Sequence, residues 1–396
     1  MMIARKGRCL LAAVAGFSFA GVVLAQSDRP PPLPIEPTGI VETLPRHYPE
    51  HWFLVHDFSF FHMSDGKLYV IDADADTLAE QVKGLFNNAM GANIVQSAKR
   101  GEIYSAETFY SRGTRGVRTD VVTIWDQETL LPVAEIVWPK PIRYIGLPRL
   151  AAIALLDDER LLAVANFSPA TSVTLIDLDK REIINEIATP GCTMIYPAGK
   201  VGFSSLCADG RMLSTELDAD GHIIKQVRTD AFFNSDESPI FDQFARIGEI
   251  VYFPSFAGLV YPVDLSGEVA RVGAAWNLVP EAERSERWAP AGLSLMGQDD
   301  LGRFYVIMHP DSKDGSYQGG GPEVWVYDPV QKTRVQRIAL QAWGVSLGVS
   351  RGKNPLLMVT NPINMSLEIY DALTGTFLKD ITDFGQETPL VIHGAR

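Results

Sequence analysis

The sequence predicts an all-β fold, a seven-bladed β-propeller, on three observations. One pattern recurs seven times: an alternating apolar strand, an aspartate, a turn, then a second strand. The copies place their aspartates at Asp72, Asp126, Asp177, Asp218, Asp264, Asp328 and Asp371, with the shortest interval 41 residues (177 to 218) and the longest 64 (264 to 328). That spacing lies in or just above the range of propeller blades. Long amphipathic helical periodicity is nearly absent, so no other element competes to cover the strands.

In chain order, Arg5, Lys6 and Arg8 precede an apolar run from Leu10 to Leu24, with Val23 and Ala25 as small or branched residues at its end. This is the layout of a secretory signal peptide spanning residues 1–25. The run is shorter than the roughly 20 residues a membrane-spanning helix needs. Residues 26–45 are proline-rich and expected to form an extended or disordered arm. The propeller is expected to occupy residues 46–396. Within each copy the aspartate can accept backbone hydrogen bonds in the turn, and the pattern supplies the outer hairpin of a four-stranded sheet. Apolar runs between copies, such as those at 160–168 and 303–309, supply inner strands. A lone blade cannot bury both faces, so the blades must close on one another. Trp276 to Gly292 interrupts the β pattern with a short helical run between Pro280 and Pro290, expected to cap one face.

Composition narrows the chemistry. The net charge is −13, and removing Arg5, Lys6 and Arg8 with the signal makes it −13 − 3 = −16. An acidic body repels phosphate backbones and anionic bilayers, which argues against nucleic acid and membranes as partners. Cys9 falls in the signal peptide, leaving Cys192 and Cys207. The pair flanks a turn at 197–200 and reads as one disulfide in an oxidising compartment. Zinc is the rival reading, but two thiols without a nearby histidine pair make a poor site. The seven histidines are His47, His51, His56, His62, His222, His309 and His393. None of their spacings matches a metal-ligand pattern, so no metal is assigned. No haem-attachment, nucleophile-elbow, zinc-protease or phosphate-loop motif is present. One loop stands out. Arg112, Arg115 and Arg118, interleaved with Gly113 and Gly116, make a basic stretch in an acidic protein. It reads either as a hairpin connection held by Asp120 or as a docking loop for an acidic partner chain.

Several stretches, among them residues 106–136, 166–178, 191–210, 276–292 and 305–328, resemble the large subunit of tryptophylquinone-dependent amine dehydrogenases. The resemblance is closest to the aromatic amine dehydrogenase branch, with methylamine dehydrogenase next. It implies that no catalytic residue lies on this chain. The cofactor, tryptophan tryptophylquinone, would sit on a small cysteine-rich subunit, two of which pack with two large subunits in an α2β2 heterotetramer. The implied reaction takes a primary amine to an aldehyde and ammonia in the periplasm. Electrons would pass to a cupredoxin of the azurin or amicyanin kind. The segment from Gly84 to Val95 aligns with the family's substrate channel, which implies Phe86 and Asn87 as channel residues. Residues 87–91 depart from the family there and are expected to form an altered or lengthened loop. The alternatives are a stand-alone binding propeller and a self-contained propeller enzyme.

Overall fold

A computed structural model describes residues 43–58, 65–143, 147–385 and 388–396. The signal-peptide expectation, all but the last residues of the proline-rich arm, and His62 lie outside the described residues. Among the described residues no helix is long and apolar enough to cross a membrane.

The seven repeats become seven antiparallel sheets, and every repeat aspartate stands at or just beyond the end of its sheet's third strand. Each uses its carboxylate as expected. Asp126 Oδ1 accepts from the backbone N–H groups of Glu128 (3.2 Å) and Thr129 (2.8 Å). Asp177 accepts from Asp179 and Lys180, Asp328 from Val330 and Gln331, and Asp371 from Leu373 and Thr374, all within 2.8–3.1 Å. Asp72, Asp218 and Asp264 do the same in their turns. The aspartate therefore reverses the chain by satisfying amides that the turn would otherwise leave open. Across the third and fourth strands burial falls from interior to surface: Ser172–Asp177 is buried throughout, whereas Glu182–Ala188 is exposed or half-buried at every residue but Ile187.

Six sheets are built from consecutive strands. The first is not. Its order is Val82–Ala89, Asp65–Asp72, Trp52–Phe58 and finally Thr388–Gly394, so the last strand of the chain is the innermost strand of the first blade. This closure ties the two ends of the propeller through backbone pairing, from Phe53 opposite Gly394 to Phe58 opposite Thr388. The core lies between neighbouring blades. Val122 and Ile124 of the second pack with Leu162 and Val164 of the third, and Phe53 and Val55 of the first pack with Met358 and Ile369 of the seventh.

The helical run expected between Pro280 and Pro290 is a 3-10 helix, Glu281–Glu286, ended by Arg287 in the left-handed region. It serves as a side bracket to the sixth blade. Two-residue strands flank it, Trp276–Asn277 pairing with the fifth blade and Ala289–Pro290 with the sixth. Glu283 binds Arg334 of the sixth blade bidentately at 2.6 and 2.7 Å.

Cys192 and Cys207 are cross-strand partners in the fourth blade and form a disulfide, both buried. Closing a loop of 15 residues restricts the unfolded chain by about 3 kcal/mol in chain-entropy terms.

Candidate functional site

The strands that carry the residues singled out for channel and docking roles are neighbours where the first blade adjoins the second. Val82–Ala89 is the outermost strand of the first blade, and its side chains alternate. Leu85 and Asn87 face out, while Phe86 and Asn88 face in. Phe86 is 4% exposed and stacks on Trp125 of the second blade, with ring centroids 4.0 Å apart and planes 17° from parallel. It belongs to a core that includes Trp52, Leu68 and Ile103. Asn87 is the exposed member of the pair. The segment around it is not a lengthened loop: the strand continues through Ala89, and a tight turn follows, closed by Ala92 N–H donating to Ala89 O at 3.2 Å. Gly91, at φ +69°, takes the left-handed position in that turn.

Behind this strand is a set of buried polar groups. Asn88 Oδ1 lies 3.3 Å from His56 Nε2. Burial pushes His56 down to about 4, so it is neutral at neutral pH. Gly66 is required beside them, since a Cβ there would come within 2.5 Å of Asn88 Oδ1. Ala89 N–H donates to Glu107 Oε1 at 2.8 Å, and Thr123 donates to Glu107 Oε2. Burial pushes Glu107 up to about 7, against the hydrogen bonds from Thr123 and Ala89 and the charge of Arg143. Arg143 is itself buried and is driven down to about 10, with Asp120 and Glu107 opposing that shift.

Asp120 is the hub. It accepts from Thr108 Oγ1 (2.7 Å), Arg118 Nε and Nη2 (3.0 Å each), Ile142 N (2.8 Å) and Arg143 N (2.9 Å). Arg118 also donates to Arg143 O. Arg118 is therefore spent inside the structure, whereas Arg112 and Arg115 sit exposed at the hairpin tip, opposite each other across the two strands. The hairpin was legible in the sequence, and Asp120 as its anchor. Glu107 and Arg143 were not singled out. Glu107 did carry a signal, being an acidic residue on an inward position of an otherwise apolar and small-residue strand.

Among the described residues one group has metal-like spacing, Asp218, Asp220 and His222. It is partly exposed, and Asp218 in it is a blade-turn aspartate already bound to backbone amides. Nor does the tryptophan pair in ring contact among the described residues fit a tryptophylquinone. Trp288 and Trp325 approach to 5.0 Å between centroids, but they are packed in the sixth blade under Arg334 and Arg337, with guanidinium carbons 4.1–5.0 Å from the rings. That is a cation–π stack in a core.

Comparison with known proteins gives a consistent result. The family profile described as methylamine dehydrogenase heavy chain (MADH) matches residues 51–395. The chain is 30% identical over 304 residues to the methylamine dehydrogenase heavy chain of Paracoccus versutus, covering 74% of this chain and 69% of that one. It is 26% identical over 329 residues to the heavy chain from Methylorubrum extorquens, covering 82% and 78%. Among solved structures, a functionally unknown protein from Desulfotomaculum acetoxidans aligns with a TM-score of 0.56 at 12% identity, over 87% of this chain and 100% of that one. That likeness concerns the fold alone.

Proposed function

Since the chain belongs to the methylamine dehydrogenase heavy chain family, we propose that it is the large, cofactor-free subunit of a periplasmic quinone-dependent amine dehydrogenase. The observation that carries this reading is the family match across residues 51–395, the whole propeller. A heavy chain calls for a light one, and the chemistry is assigned to that second chain. When bound there, tryptophan tryptophylquinone supplies the two-electron oxidation of a primary amine to aldehyde and ammonia. Two features of this chain support placing the quinone elsewhere. Its Trp288–Trp325 pair is packed under arginines, and beyond Cys9 it has only the two cysteines of one disulfide. Electrons then pass to a cupredoxin, and the assembly holds two copies of each chain. Residues 1–25 direct export.

In this reading the first blade's outer strand contributes to the substrate channel. Asn87 faces outward, and Phe86 stands behind it, fixed against Trp125. The substrate class is a primary amine; the relatives reported above are methylamine dehydrogenase heavy chains, and none of them supports the expected closeness to the aromatic branch. A change in one apolar contact there shifts selectivity by about 1–3 kcal/mol.

The test is spectroscopic. A native preparation of the complex should absorb in the visible and bleach on adding methylamine or phenylethylamine. A colourless preparation inert to both amines would overturn the reading.

A further inference from the structure

The second blade departs from the others in one respect. Its second and third strands, Glu102–Arg112 and Arg115–Asp126, run 11 and 12 residues. The equivalent strands of the third, fourth and seventh blades run six each. Five extra residues at about 3.3 Å apiece carry the hairpin roughly 15 Å beyond the blade. Residues 111–117 are all exposed.

This projection is built to hold its shape. Isolated two-stranded ribbons are marginal in water, but this one is rooted by Asp120, which binds Thr108 on one strand, Arg118 on the other, and the backbone at 142–143. Its tip is a two-residue turn at Gly113 and Thr114. Gly113, at φ +66° with open space around it, occupies the position that a type II′ turn reserves for glycine.

What the arm presents is equally specific. Arg112 and Arg115 face each other across the strands. Neither has a carboxylate partner among the described residues. A pair of free cations at a projecting tip is unusual in a chain of net charge −13, and it favours an acidic surface. Phe109 is 43% exposed and Val117 66%. Phe109 pairs with Thr119, so Val117, two residues before Thr119, shares its face of the ribbon. Apolar anchors flanked by arginines have the anatomy of an interface centre and rim. The root of the arm is joined to the outer strand of the first blade by Ala89 N–H on Glu107, so arm and channel strand leave the same corner.

We propose that residues 109–117 are a docking arm that seats an acidic face of the light chain. Arg112 and Arg115 pair with its carboxylates, and Phe109 and Val117 are covered by it. The inference rests on the two-chain reading above. It narrows the sequence expectation, because Arg118 holds the arm in position and does not dock. A second copy of this chain is the poorer occupant, since pairing arm to arm would gather four arginines.

The experiment uses the complex isolated from the cells that make this chain, with the tagged wild type compared with the R112E/R115E double variant and with Phe109→Ser. All three substituted positions are exposed, so melting curves should coincide and report an intact fold. The recovered light chain is identified by peptide mass. The wild type is expected to retain it, less firmly as salt rises from roughly 0.05 to 0.5 M. The double variant should bind it at least about tenfold more weakly, and Phe109→Ser should also lose affinity without changing the salt dependence. Equal retention by wild type and double variant would overturn the docking arm while leaving the two-chain reading intact. A wild type that brings down no light chain would overturn both. A dimer of this chain alone that the double variant dissolves would assign the arm to a second copy and overturn the proposal.

Discussion

Deleting residues 388–396 is expected to abolish the native fold. The strand Thr388–Gly394 is the inner edge of the first blade, paired along Trp52–Phe58. Leu390, Val391 and Ile392 in it are 2–4% exposed, and burying such side chains contributes roughly 5–9 kcal/mol for the three. That is comparable with the whole stability of an ordinary domain, about 5–15 kcal/mol. Polar ties are lost as well. Arg351 Nε donates to Ala395 O at 2.6 Å, and Gln96 exchanges two 2.7 Å bonds with the backbone of Arg396, joining the first and second blades. The shortened chain should be recovered aggregated, or should melt far below the full chain by circular dichroism. Melting within a few degrees of the full chain would contradict the closure described here.

That strand also marks the boundary of what the sequence discloses. The seven turn aspartates were legible because their chemistry is local: each carboxylate serves amides two to four residues downstream. The closing strand has no such mark. Its apolar run could pair with any open edge, and its partner at 52–58 lies more than 300 residues away. The inner strands Ala245–Ile247 and Met296–Gln298 are only three residues long and leave almost no period to read. The 3-10 bracket reads as a helical run because 281–286 is rich in helix formers, and only the left-handed Arg287 shows where the turn stops. At the candidate site, neighbouring Leu85 and Phe86 are both apolar. Strand alternation requires one in and one out, and Trp125, a contact from another blade, decides in favour of Phe86. The same nonlocality hid Arg143, whose partners Asp120 and Glu107 are 23 and 36 residues away.

The second large effect is expected at Asp120. Replacing it with alanine removes the acceptor for Thr108, Arg118 and the amides of Ile142 and Arg143. It also strips a compensating charge from the buried Arg143. Removing one partner from such a cluster costs about 3–5 kcal/mol. Asp120→Asn, which keeps the shape but turns an amide group toward donors, should also destabilise. Burial alone would raise the Asp120 carboxyl, but the hydrogen bonds from Arg118, Thr108 and Arg143 N–H outweigh it and hold it below the ordinary 3.8. A depressed folded value means the stabilisation is complete above 3.8 and is lost as pH falls through the lower folded value. The gap between wild type and Asp120→Ala in denaturant unfolding should therefore be full at neutral pH and shrink below about pH 4. Equal stability at neutral pH would remove Asp120 as the hub. Because the arm is rooted there, Asp120→Ala should also weaken retention of the light chain even where the blade stays folded.

In the reading proposed above, the chemistry of this amine dehydrogenase is carried by a different chain from the propeller. The decisive measurement separates the native, coloured complex under denaturing conditions and records absorbance and intact mass for each chain. The visible absorbance is expected to travel with a second, smaller chain, while the propeller chain is colourless and has the mass of its unmodified sequence after removal of residues 1–25. Colour on the propeller chain, or a modified tryptophan in its mass map, would contradict it.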